Sequence, residues 1–147
     1  MALDHRCKES FHRQGLMTLL GAELLEAADG RAVIEVAYRA DLTQQNGYFH
    51  GGVVTAIADT ASGYAAYTTM PPDSSVLTVE FKINLMNPAA GERLRAEARV
   101  HKAGRTLVVV GATVTVLRGG KAVPCGEMLG TFIVLRNTSD VEQRVHS

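Results

Sequence analysis

The chain has 147 residues, with 15 basic and 15 acidic side chains and a formal net charge of zero. Hydrophobic residues make up 46% and charged residues 20%, which suits one domain with a real core and no metal or disulfide staple. No block of like charge stands out, which argues against nucleic acid or an anionic membrane as partner.

Cys7 and Cys125 are the only cysteines, too few for a disulfide framework. The opening run MALDHRCKESFHRQG is charged and lacks the apolar centre of a signal peptide. No apolar run reaches the ~20 residues of a membrane span. The expectation is a cytoplasmic, reduced, single-domain protein, with loose ends over residues 1–14 and 136–147.

Residues 4–20 place Phe11, Leu16, Met17, Leu19 and Leu20 among charges, which predicts a short amphipathic helix ending near Gly21. Asp29-Gly30 is a hairpin signal between two apolar runs, so residues 22–28 and 31–38 should be paired strands. Residues 40–50, ADLTQQNGYFH, read as a polar loop outside the core. Over 51–69, Val53, Ile57, Ala61 and Ala65 recur at four-residue spacing, with Val54, Ala58 and Gly63 beside them. Small or apolar residues nearly encircle this helix, which predicts burial.

MPPDS, 70–74, breaks the chain. Residues 76–86 alternate: Leu77, Val79, Phe81, Ile83 and Leu85 should face one way, and Thr78, Glu80, Lys82 and Asn84 the other. Strands over 93–101, 106–117 and about 122–135 follow, joined by the turns KAGR and RGGK. The absence of strand–helix alternation makes the class α+β. One buried helix and one antiparallel sheet suggest a sheet wrapped around the helix.

Two features do not read as ordinary packing. His50-Gly51-Gly52 sits at the helix start, where backbone N–H groups lack intrahelical partners. An open glycine amide there could stabilise an oxyanion; the dipeptide by itself reads first as a tight loop-to-helix corner. Asp59 lies among alanines, where an unpaired carboxylate costs several kcal/mol. It could cap a new helical segment or act as general base or nucleophile. Eight helical residues rise about 12 Å, so Gly51 and Asp59 of one chain cannot both touch one carbon. If both are catalytic, two copies with antiparallel helices must share each site.

The stretch QQNGYFHGGVVTAIADTASG, with the strand VLTVEFKINLMNPA and the hairpin VHKAGRTLVV, resembles the hotdog-fold acyl-CoA thioesterases. The likeness is to the PaaI-like (phenylacetate-degradation) branch of the 4-hydroxybenzoyl-CoA thioesterase superfamily, and it runs from about residue 15 to 135. The resemblance implies a long central helix wrapped by a curved antiparallel sheet, with an N-terminal helix, and hydrolysis of acyl-CoA to carboxylate and coenzyme A without a further cofactor. It makes Asp59 the catalytic acid and Gly51 the donor of the polarising amide, with His50 beside it. Thr78 matches a hydroxyl that positions water. Gln44 falls where the family has Gln or Asn; Asn46, two residues later, could fill the role through a shifted loop, and Gln44 keeps Gly47 and His50 in register. The resemblance also implies a homodimer or tetramer with sites at the subunit interface.

The nucleotide end of coenzyme A seeks Lys and Arg. Lys102 and Arg105 are candidates, with Lys82, Arg93 and Arg95 behind them; any single one of them reads first as solvated surface charge. Tyr48 and Phe49 read as loop packing or as acyl-pocket lining. His5, Cys7 and His12 fit no common zinc spacing, so no metal is expected. No GxSxG is present, which argues against a serine hydrolase. An acyl-thioester dehydratase or hydratase of the same fold is the alternative, and a non-catalytic acyl-CoA sensor ranks last. The acyl group stays open between aromatic and medium-chain.

Overall fold

The chain enters through two short helices where one was expected. A computed structural model describes residues 2–138. Helix α1, His5–His12, starts at Asp4, whose carboxylate accepts from the N–H groups of Arg6 and Cys7. Gln14 is extended and begins α2, Gly15–Leu20, which ends at Gly21 in the left-handed region with φ 66°. The break lets Phe11 of α1 and Met17 and Leu20 of α2 each reach the core.

The N-terminal end is also docked, contrary to the expectation of a loose segment over 1–14. Cys7 is fully buried. The Arg6 guanidinium donates to the carbonyls of Pro71, Tyr67 and Met70 at 2.7, 2.9 and 3.3 Å and lies 4.1 Å over the Tyr67 ring. At the other end, residues 139–147 of the expected loose tail lie outside the described residues.

Strands β1, Glu23–Ala28, and β2, Arg31–Ala37, pair antiparallel across Asp29-Gly30, both with positive φ, as a two-residue hairpin requires. The following loop contains a 3-10 turn at Ala40–Leu42. Its polar composition hid two anchors. Leu42 and Phe49 are buried, and the Phe49 ring meets Tyr38 edge-on at 5.5 Å.

Helix α3 spans Gly51–Tyr67 and buries Ile57, Ala58, Ala61 and Ala65 completely. Four strands follow: β3 Ser74–Leu85, β4 Arg93–Ala103, β5 Leu107–Arg118 and β6 Lys121–Arg136. All six strands form one antiparallel sheet in the order β1-β2-β4-β5-β6-β3, with α3 across one face. This is the hotdog arrangement that the resemblance implied.

The regular alternation expected along 76–86 does not hold. A bulge between Thr78 and Glu80 inserts Val79 and shifts the phase by one residue. Before it, Val76 and Thr78 face α3. After it, Ile83 and Leu85 do, their methyl groups lying against the positions of Gly126 and Gly51. Glu80 turns to the outer face, where Thr131 donates to it. Without the bulge, Thr78 would share the outer face with Glu80 and Lys82.

Strand β3 is an edge of the sheet. It is 12 residues long and exposes Leu77, Val79, Phe81 and Leu85 by 39–55%. A long apolar edge is a template for pairing with another strand.

Candidate active site

Two cavities open at different heights along α3. The first, about 400 Å³, is lined by Asp59 with Thr60, Gly63 and Tyr64 of the same helix, and by Thr78, Val76 and Phe132 of the sheet. The junction of α1 and α2 closes it with Ser10, Arg13 and Gln14. The second, about 340 Å³, is lined by Gln44, Asn46, Tyr48, Gly51, Leu85 and Cys125, among others.

Asp59 does not cap a new segment, because α3 runs through it unbroken to Tyr67. It stands half-buried in the first cavity, and the Thr78 hydroxyl donates to its Oδ1 at 2.8 Å. Burial pushes its carboxyl above the usual carboxylate range, and the Thr78 hydrogen bond opposes part of that rise. A half-buried carboxylate with raised basicity, open to a cavity, suits proton abstraction or nucleophilic attack.

The start of α3 is arranged to leave one amide unused. His50 caps the helix: its Nδ1 accepts from Gly52 N–H at 2.7 Å. Val53 and Val54 N–H both reach the His50 carbonyl. Gly51 N–H has no hydrogen-bond acceptor among the described residues, and Gly51 lines the second cavity. His50 itself is exposed and is not among the residues lining that cavity. Its place is that of a cap that consumes Gly52's amide and leaves Gly51's. A side chain at Gly51 would meet Leu85 Cδ1 at 2.8 Å, so the amide is approachable only because residue 51 is glycine.

Gln44 and Asn46, the alternatives for one role, both line the second cavity. The Gln44 Oε1 accepts from the backbone N–H groups of Asn46 and Tyr48 and so closes the loop. That leaves its amide nitrogen as the group it can present. Both aromatics line the cavity: Phe49 is buried and also packs the loop against Tyr38, whereas Tyr48 is exposed. Cys125 also lines it, but burial pushes its thiol up to about 11, so it stays protonated and is a poor nucleophile.

Sequence reasoning missed the contribution of α1 and α2. Ser10 and Gln14 were not singled out, since the segment before residue 15 was read as loose, and neither was Tyr64 of α3. The signal available was Phe11, whose ring packs edge-on to Tyr64 at 5.9 Å.

The basic candidates do not converge on either cavity. Lys102 and Arg105 are exposed at the β4–β5 turn, and Lys82 lies on the outer face of the sheet, in a groove with His101 and Glu127. Arg93 is paired with Glu35 at 3.0 Å, and Arg95 with Glu35 and Glu97 at 2.7 and 2.8 Å. These two arginines are held in an ion-pair lattice. Cys7 is buried whereas His5 and His12 are exposed, so that group does not form a ligand set.

Comparison with known proteins bears on the family and the fold. The sequence model of the thioesterase superfamily matches residues 46–123, which include Gly51, Asp59 and Thr78. Human acyl-coenzyme A thioesterase 13 is 31% identical over 104 residues, 70% of this chain and 74% of that protein. The crystal structure of a thioesterase family protein from Silicibacter pomeroyi superposes with a TM-score of 0.88 and 42% identity, over 89% of this chain and 96% of that one. The E. coli PaaI protein of the phenylacetic acid degradation operon shares the fold, with a TM-score of 0.76 and 21% identity over 94% of this chain and 98% of that one. With its six-stranded sheet, its central helix and the matched segment through Asp59, the chain belongs to the thioesterase superfamily and is a hotdog-fold thioester hydrolase.

Proposed function

We propose that the protein hydrolyses acyl-CoA thioesters to carboxylate and coenzyme A in a homodimer, or a dimer of dimers, whose sites lie between subunits. The observation that carries this reading is the split along α3. An activated carboxylate stands in one cavity, and an unused helix-start amide about 12 Å away lines another. Neither cavity is a complete thioesterase site.

The exposed β3 edge supports the pairing. Two β3 strands meeting about a two-fold axis would continue the sheet and set the two α3 helices antiparallel. The start of one helix would then lie near the middle of the other. In such a site Gly51 N–H of one subunit, with Gln44 beside it, receives the thioester oxygen. Asp59 and Thr78 of the other meet the carbonyl carbon. As the tetrahedral oxyanion forms, the Gly51 amide and the positive end of the α3 dipole stabilise it. Asp59 either removes a proton from a water held with Thr78 or attacks directly, and the thiolate of coenzyme A leaves. Asn46 stands next to Gln44 as the alternative contact. Lys102, Arg105 and Lys82 remain the candidates for the nucleotide phosphates, and an acyl-CoA substrate suits a cytoplasmic location.

The test is release of free thiol from a panel of acyl-CoA thioesters by wild type and by Asp59→Asn. The variant keeps the shape and removes the charge, so hydrolysis should be lost with the fold intact. Near wild-type turnover by Asp59→Asn would overturn the reading. Hydration of enoyl thioesters, without thiol release, would favour the dehydratase alternative.

A further inference from the structure

The open amide of Gly51 depends on how the first turn of α3 is closed. The His50 carbonyl accepts from the N–H groups of Val53 and Val54 at 2.9 and 3.3 Å, and its imidazole Nδ1 accepts from Gly52 N–H at 2.7 Å. A backbone N–H can only donate, so Nδ1 must be bare and the proton of the neutral ring must sit on Nε2. The second glycine admits the ring: a Cβ at residue 52 would lie 2.9 Å from Nδ1. Two consecutive glycines are the least restrained start a helix can have. The hydrogen bonds to His50 therefore set the direction of the Gly51 amide.

This cap works in one protonation state. An imidazolium carries a proton on each ring nitrogen and has no acceptor. Its Nδ1–H would oppose the Gly52 N–H, and its charge would lie on the positive end of the α3 dipole. His50 is exposed and has no ion pair among the described residues, so a charged ring can swing into water. The ionisable groups of the neighbouring segments are engaged elsewhere or lie apart. In the preceding loop, Asp41 pairs with Arg39 at 3.0 Å. In the connection after β3, Glu92 accepts from Gly119 N–H at 2.9 Å. Tyr48 and Cys125 line the second cavity, and Glu80 and Lys82 of β3 lie in the groove on the outer face of the sheet. Asp59 is nine helical residues away, about 13–14 Å.

We propose that His50 is a positioning residue whose neutral ring aims the Gly51 amide at the thioester oxygen, and that protonation of the ring releases the first turn of α3 and slows hydrolysis. The inference rests on the thioesterase reading for the role of that amide. It gives the enzyme a second acid-sensitive group, separate from Asp59 and located at the other half of the shared site.

The test compares kcat/KM of wild type, His50→Asn and His50→Ala between about pH 5.5 and 8.5, the range in which histidine changes charge. Asparagine caps through an oxygen that does not titrate, and alanine does not cap. At the alkaline end His50→Ala should fall roughly 2- to 30-fold, the equilibrium worth of a helix cap, and His50→Asn should recover most of that loss. Asp59 titrates in all three proteins, so it cancels in their ratios. The ratio of His50→Asn to wild type should rise roughly 2- to 30-fold towards acid along a one-proton curve, and the ratio of His50→Ala to His50→Asn should stay flat. A flat ratio of His50→Asn to wild type would overturn the switch. His50→Asn as slow as His50→Ala at the alkaline end would show that the imidazole acts on the substrate itself, and would overturn the positioning role. Nitrogen-15 NMR without substrate separates this inference from the hydrolase reading. The Gly51 and Gly52 amide resonances should move with the titration of the His50 ring and stay still in His50→Asn; amides that ignore that titration in wild type would also overturn the proposal. If the amides respond as expected but no acyl-CoA is hydrolysed, the proton-sensitive cap stands and the hydrolase reading falls.

Discussion

If each site is split between subunits, two inactive variants should restore each other. Gly51→Val and Asp59→Asn damage the start and the middle of α3. Even a lone Cβ at residue 51 meets Leu85 Cδ1 at 2.8 Å, so valine both crowds the second cavity and covers the amide. Loss of an oxyanion donor costs on the order of 10²–10³ in rate, and loss of a catalytic base about 10²–10⁴. Each variant alone should therefore show at most about 1% of wild-type kcat. Unfolded and refolded together in equal amounts, the chains pair at random and about half the dimers are mixed. A mixed dimer has one site with Gly51 from the Asp59→Asn chain and Asp59 from the Gly51→Val chain. That site is whole, and its counterpart is doubly damaged. Half the dimers with half their sites intact gives about a quarter of wild-type activity. The assay is thiol release on the best acyl-CoA, with refolded wild type as control and native mass spectrometry to count mixed dimers. Activity no greater than the mean of the two separate variants, with mixed dimers present, would refute the shared site.

Four further outcomes follow from the same geometry. Burial holds the Asp59 pKa above its unfolded value, so its ionised form costs folding stability and that cost grows as pH rises through the raised pKa. Asp59→Asn should accordingly melt above wild type at neutral pH, with the gap closing in acid, and Thr78→Val should move the acid limb of the wild-type kcat/KM profile to higher pH. Arg6→Met removes three hydrogen bonds to the carbonyls at the end of α3 and a guanidinium–ring contact, a loss of about 2–4 kcal/mol, read as a lower denaturation midpoint and faster hydrogen exchange over residues 5–12. The buried Ser62 hydroxyl has no hydrogen-bond partner among the described residues, so Ser62→Ala should leave stability within about 1 kcal/mol of wild type or raise it, measured by the same denaturation curves.

Much of this was legible in the order of residues, because local rules decide local structure. Asp29-Gly30 fixes a hairpin by its positive φ preference, the four-residue spacing of Val53, Ile57, Ala61 and Ala65 fixes a buried helix, and the rise of that helix separates Gly51 from Asp59 whatever surrounds it. The resemblance of QQNGYFHGGVVTAIADTASG supplied the chemistry proposed for those two positions. Other features depended on neighbours far along the chain. The bulge at Val79 is set by the register of β3 on β6, and only that shift turns Thr78 toward Asp59. Charge alone made Arg93 and Arg95 look available, but β2 brings Glu35 against both. The polar segment before residue 15 looked loose until packing brought Cys7 and Phe11 into the core and Gln14 to Tyr64. A sequence states which groups are present and how a helix or turn spaces them. Which side of a sheet a residue faces, and which distant partner consumes its hydrogen bonds, is decided when strands choose their register.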